Sequence, residues 1–269
     1  MNFNRLTKII YIAVTSMTLC STLALLLSFI LSFDSINGYF DDGALPILFK
    51  VTFVLGIILS FASPFVFRKC DKIKSGENST SLSFAYAFFA ACLALCSILF
   101  NIFTASKYFT IATIGVCFFA FYVIMYAFKE GYKYSPLKPL LLLLSAIFPI
   151  IITIDNNSVI YRHSNSVENI LTSVFGIAFL IYILYEGKRI FTGAHSKWHF
   201  TSMLLLSHVG TSLSVSYIVA YIFGSVNEKT RMYQMILIFI ISIIGELKLI
   251  SFIKSARAEQ SETSEQENQ

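Results

Sequence analysis

Two ionisable side chains, His208 and Glu246, stand well inside long apolar stretches of this 269-residue chain. His208 is eight residues from one border of its stretch, and Glu246 is seven from the same-side border of the next. Wound as helices, both lie roughly 10 to 12 Å deep. An isolated carboxylate at that depth is costly. The spacing therefore predicts a hydrogen bond between His208 and Glu246 on neighbouring antiparallel helices, or a protonated acid. Ser242 is one turn before Glu246 on the same face, and Ser207, Thr211 and Ser214 lie along the helix of His208, so these six residues form a candidate intramembrane polar site. It reads either as a structural clamp or as a protonation-linked site. Lys248, two residues after Glu246, points to another face and is a poor partner for it within the helix.

The helix of His208 is polar beyond that histidine. Ser207, Gly210, Thr211, Ser214, Tyr217 and Tyr221 recur every three or four residues, so one face carries hydroxyls across most of a membrane. Such a face serves interhelical hydrogen bonding and close packing, or it lines a hydrated path. Ala87, Ala90, Ala91, Ala94 and Ser97 form a stripe of small residues on another helix, so these two helices are expected at the centre of the bundle. A second candidate feature is a polar mouth made by Asp34, Lys50, Asp155 and Arg162, with Lys50 expected near Asp34. Asp41 and Asp42 add oxygens, but their spacing matches no calcium loop, and Asn-Gly and Asp-Gly pairs there predict turns.

Several chemistries are disfavoured. A bis-histidine haem needs two histidines inside membrane helices, and only His208 qualifies. His195 and His199 have the i, i+4 spacing of half a zinc site, yet no Cys or nearby Glu stands at a motif spacing, so they read as a solvated interfacial loop. Cys92 and Cys96 read as small apolar residues, and with Cys20, Cys70 and Cys117 they suggest no disulfide framework. No catalytic residue, cofactor or metal set is indicated. An intramembrane enzyme would need clustered acids, a metal set or a nucleophile with its base.

Eight apolar stretches must position these groups: Ile9 to Phe33, Leu45 to Phe67, Leu82 to Phe103, Tyr108 to Phe128, Leu137 to Ile154, Asn169 to Tyr185, Phe200 to Gly224 and Met232 to Ile253. Each matches the hydrocarbon thickness of a bilayer, and with 56% hydrophobic and only 13% charged residues the chain is far from the composition of soluble domains. The predicted fold is all-α: a polytopic transmembrane bundle of about eight helices, or six if the short fifth stretch, interrupted by Pro149, and the short sixth do not cross.

Arg5, Lys8, Arg68, Lys69, Lys72, Lys74, Lys129, Lys133, Lys138, Lys188, Arg189, Lys197, Lys254 and Arg257 fall on one side, against Lys107, Arg162, Lys229 and Arg231 on the other. That bias predicts cytoplasmic N- and C-termini. Lys50 and Lys248 lie within stretches near their ends, where long stems snorkel. The first stretch is too long for a signal core and is read as a retained helix. The chain divides into a helical domain, 1–254, and a Glu-, Gln- and Ser-rich segment, 255–269, read as a disordered cytoplasmic tail.

Through the segment from Ser32 to Pro46, through Ser135-Pro-Leu-Lys-Pro139, and through Asn165 to Asn169 leading into a helix that ends Glu186-Gly-Lys-Arg189, the chain resembles a group of eight-helix membrane proteins of clostridial-type bacteria with no established activity. The resemblance implies a bacterial plasma membrane and carries over no functional residue. The functional expectation is a non-enzymatic, membrane-embedded sensing, binding or assembly component. The alternative is a small-solute or ion permease with a polar path along the seventh helix. The expected surroundings are the lipid bilayer and a membrane-protein partner or small ligand, with no nucleic acid.

Overall fold

Hydrocarbon offers no partners for backbone N–H and C=O groups, and a helix satisfies them within each apolar segment. The computed structural model of the chain describes residues 3–34, 39–66, 73–74, 79–104, 106–128, 135–158 and 166–266. They form α1 (Phe3–Leu31), α2 (Ala44–Val66), α3 (Thr80–Thr104), α4 (Lys107–Ala127), α5 (Leu137–Ser145), α6 (Ile147–Ser158), α7 (Val167–Thr192), α8 (Lys197–Ile222) and α9 (Lys229–Gln266). Four two-residue strands accompany them: β1 (Phe33–Asp34), β2 (Tyr39–Phe40), β3 (Ile73–Lys74) and β4 (Ala194–His195).

The fifth stretch is two helices for a local reason. The ring of Pro149 would meet the carbonyl of Ser145, so α5 stops at Ser145 and α6 restarts at Ile147, with Pro149 in a first turn that needs no N–H. Together they still make one span, Leu137–Asp155, and eight spans among the described residues are long and apolar enough to cross a membrane. The six-helix alternative therefore drops out. The sixth span is longer than its apolar stretch, because α7 continues through Glu186 and Arg189 to Thr192 with both charges buried.

α8 is the axis of the bundle, packed against α1, α2, α7 and α9 and buried on every side. α3 was expected beside it but lies outside, against α4 and α9, and its small-residue stripe is split: Ala90 and Ser97 are buried while Ala91 is exposed. Phe84, Phe88, Leu95, Ile98, Leu99, Ile102 and Phe103 are also exposed on α3, as suits a helix facing lipid. α8 and α9 approach closely at Gly210, where a Cβ would run into Ser242 Oγ and the Phe175 ring.

At one end of the bundle, β1 pairs antiparallel with β2, and Phe33 and Phe40 pack edge-on against Phe29, which also meets Tyr217. At the other end β3 pairs with β4, Ile73 opposite His195, which joins the α2–α3 connection to the α7–α8 connection. The segment after Ser255 was expected to be unstructured, whereas α9 continues helical to Gln266. Its Ala, Arg, Glu and Gln content explains this, since these residues have high helix propensity. At 1.5 Å per residue α9 is about 57 Å long, well beyond the roughly 30 Å hydrocarbon layer.

Candidate functional site

His208 and Glu246 do not pair. Nε2 of His208 donates to the carbonyl of Phe53 on α2 at 3.0 Å, and Nδ1 lies 2.8 Å from the Thr18 hydroxyl on α1. Gly56 packs flat on the imidazole, with no room for a Cβ. Glu246 instead accepts from Ser207 at Oε1 and from the Tyr11 hydroxyl at Oε2, the latter at 3.3 Å. The Ser207–Glu246 bond puts His208 and Glu246 at one level along the bundle, but azimuth separates them. Consecutive residues of a helix do not share a face, so Ser207 meets α9 while His208 meets α1 and α2.

Most other hydroxyls of α8 are spent in packing. Ser212 meets Ser21 at 2.6 Å, Ser216 donates to the Thr22 carbonyl at 2.8 Å, and Thr201 meets Ser63 at 2.8 Å. Ser214 bonds back to Gly210 O at 2.5 Å and Ser242 to Ile238 O at 2.8 Å, while Thr211 is half-buried. The expected outer mouth does not assemble around Lys50. That residue is exposed beside the inward-facing Phe49, and among the described residues no ion pair joins it to Asp34, which is half-buried in β1. Asp155 is half-buried near the end of α6, and Arg162 lies outside the described residues.

The densest chemistry is at the β3–β4 end, around Glu186, which is fully buried. Residues i, i+4 and i+7 of one helix face, Tyr182, Glu186 and Arg189 on α7, meet Tyr122 and Tyr126 on α4, His199 on α8 and Lys248 on α9. Arg189 grips the carboxylate with two bonds, Nε to Oε2 at 3.1 Å and a terminal nitrogen to Oε1 at 2.9 Å. Lys248 Nζ and the Tyr122 hydroxyl both donate to Oε1. Lys248 and Arg189 also approach the Tyr122 hydroxyl, at 3.2 and 3.3 Å.

Aromatic rings complete the enclosure. Lys248 Nζ is 4.0 Å from the centroid of Tyr126 and 4.8 Å from that of Tyr122, and Arg189 stands 4.8 Å over Tyr126. Their negative faces offset part of the desolvation of both cations. Lys248 therefore does not snorkel: only 2% of it is exposed. Two fully buried hydroxyls near this centre, those of Tyr86 and Tyr182, have no hydrogen-bond partner among the described residues.

His195 and His199 are buried as well, contrary to the solvated-loop expectation. The turn that buries them follows from Gly193, whose left-handed φ of 67° ends α7 with its N–H on Arg189 O, and from Ser196, which caps α8 through the His199 N–H at 3.2 Å. The chain thereby folds His195 back onto Phe252, ring centroids 5.3 Å apart and perpendicular. His199 Nε2 is 2.6 Å from Glu186 Oε2, an ion pair only when the ring is protonated, and its angle is poor for an aligned hydrogen bond. Burial holds the His195 imidazole well below the usual histidine range, and the positive fields of His199, Arg189 and Lys248 add to this while Glu186 opposes it. Among the described residues no group of three or more His, Cys, Asp or Glu side chains is arranged to hold a metal ion.

The arrangement can move or bind charge: one carboxylate is shared by donors from four helices. Signals for it exist in the chain, in the Tyr122/Tyr126, Tyr182/Glu186 and His195/His199 i, i+4 spacings and the Glu186/Arg189 i, i+3 spacing. Each resembles an interfacial residue when taken alone. No protein-family model, curated protein or solved structure matches this chain.

Proposed function

We propose that this protein is a non-enzymatic, multi-pass component of the plasma membrane, with both termini cytoplasmic, in which the Glu186 centre sets the relative positions of α4, α7, α8 and α9 and resets them when its charge balance changes. The observation that carries this is the single buried carboxylate that receives Tyr122, Arg189, His199 and Lys248. Each buried ion costs several kcal/mol in desolvation, and apolar side chains would join the same helices at least as firmly. Such a cluster suits a charge-sensitive joint better than a rivet. The unpartnered hydroxyls of Tyr86 and Tyr182 leave donors to spare for a small polar ligand beside it. The cation bias of the loops supports the orientation.

The test perturbs the charge directly. Spin labels at Phe128, just after α4, and at Lys254, at the end of the membrane-spanning part of α9, report their separation in lipid nanodiscs, with the native cysteines replaced by alanine. Glu186→Gln should shift the distance distribution, and Lys248→Met, which leaves the Arg189 grip intact, should shift it less. If both variants fold and superpose on the parent distances, the centre is inert packing and the reading falls.

One observation favours a permease instead: the break between α5 and α6 inside the bundle, since interrupted spans often accompany midplane sites. The engaged hydroxyls of α8 weigh against it. Solute flux into proteoliposomes decides between the two.

A further inference from the structure

The two histidines beside Glu186 have a geometry that packing alone does not require. Their Nδ1 atoms are 2.8 Å apart, the ring planes differ by 10° and the centroids are 5.0 Å apart. That leaves little more than one ring radius on each side of the contact. The imidazoles therefore meet edge to edge along the line between Nδ1 atoms, as in an N–H···N hydrogen bond, and are not stacked face to face. On its other edge, His199 presents Nε2 to a carboxylate oxygen.

We infer that His195, His199 and Glu186 form a proton-binding relay, in which a proton taken up at His195 is held on His199 against the Glu186 carboxylate. The inference deepens the reading of this centre as a charge-sensitive joint by naming its ligand. A carboxylate has only lone pairs to offer, so His199 Nε2 carries hydrogen. A neutral His199 then has a bare Nδ1, and His195 must donate to it from its own Nδ1.

The transfer balances. An incoming proton bonds to the lone pair of His195 Nε2. The N–H bond at His195 Nδ1 breaks as the same hydrogen bonds to His199 Nδ1. His195 ends neutral as the other tautomer, and His199 ends as an imidazolium facing Glu186. No electrons leave the pair. A second proton would set two N–H donors against each other across 2.8 Å, so the pair holds one.

The surroundings fix which ring keeps the charge. His199 touches Glu186 directly, whereas His195 faces the Phe252 ring. Burial and neighbouring cations push the His195 pKa well down, which makes it a conduit and not a resting place. Arg189 on α7 and Lys248 on α9 oppose an added positive charge and Glu186 favours it, while Tyr122 and Tyr126 on α4, Tyr182 on α7, Tyr86 on α3 and Lys138 on α5 are the further titratable groups of this centre among the described residues. His195 lies between the α7 and α8 spans, in the strand that pairs with β3, and keeps 3% exposure where His199 has none. With the proton bound, three cations share one carboxylate, which loosens the hold of Glu186 on Lys248 and hence on α9.

The full chain in lipid nanodiscs, with 15N in the rings of its four histidines, tests this by magnetic resonance. A coupling through the hydrogen bond between the two Nδ1 atoms is expected. From about pH 8 to about pH 5 the pair should take up one proton, with His199 protonated at both nitrogens and His195 neutral. His195→Phe should abolish the coupling and slow proton exchange at His199 Nε2. The relay is overturned by a parent protein without the coupling, by the charge residing on His195, or by His199 exchange that is unchanged in a folded His195→Phe variant. If that variant does not fold, the parent spectra alone decide. Coupling without any pH-dependent change in the α4–α9 distance would leave the relay standing and sink the joint. No coupling, together with a shift on Glu186→Gln, would do the reverse.

Discussion

Removing the acid from the buried centre should cost far more than removing one of its bases. Glu186→Gln keeps the shape of the side chain but strands Arg189 and Lys248 without their shared anion, and breaking a buried pair from one side typically costs about 3–5 kcal/mol. Lys248→Met is different. Glu186 keeps both bonds from Arg189 and the Tyr122 hydroxyl, so no charge is orphaned. The lost ammonium contacts, about 1.5–3 kcal/mol for a charged hydrogen bond, are offset by relief of a desolvation penalty of similar or greater size, and methionine fills the tyrosine cage with little change in volume. The net effect should fall within about 1 kcal/mol of zero. The double variant should cost less than the sum of the two, by about 0.5–3 kcal/mol, because one of the stranded cations is gone. Reversible unfolding in mixed micelles, followed by far-UV circular dichroism and tryptophan fluorescence from Trp198, measures all three. A Lys248→Met variant as damaged as Glu186→Gln would refute the account of one carboxylate serving two cations.

Gly210→Ala should destabilise by about 1–3 kcal/mol through overpacking, since its Cβ meets Ser242 Oγ and Phe175, and a companion Ser242→Ala change should recover part of the loss in the same unfolding experiment. Because the folded protein keeps His195 neutral to a pH well below the ordinary histidine range, the unfolded chain binds a proton there that the folded chain refuses. Stability should therefore fall as pH drops below about 6.5, and His195→Phe should flatten that slope in a series of melting curves. In intact cells, an impermeant thiol reagent should modify single cysteines at positions 37 and 157 and spare those at position 76 and beyond Lys254; the opposite pattern would invert the proposed orientation.

How much of this was legible in the chain differs from feature to feature. The eight spans could be read directly, because a bilayer requires each segment to satisfy its own backbone and to be apolar for about 20 residues, and both conditions are local. The restart at α6 was legible for the same reason, since Pro149 acts on the residue four positions before it. The polarity of α8 was legible as a pattern, and it did mark the central helix.

Level along the helix axes was also legible, since Ser207, the neighbour of His208, does meet Glu246. Rotation about the helix axes was not, and it sends His208 to Thr18 and Phe53 but Glu246 to Ser207 and Tyr11. The Glu186 centre shows the limit most clearly. Glu186, Arg189, His195, His199 and Lys248 all lie near span ends, where a charged side chain has two physically sound choices: reach for water, or turn inward and find partners. Sequence spacing describes one helix at a time and contains no information on which choice is made. Only the packing of α4, α7, α8 and α9, with the left-handed turn at Gly193 and the pairing of β3 with β4, brings Tyr122, Arg189, His199 and Lys248 within reach of the Glu186 carboxylate and out of reach of water.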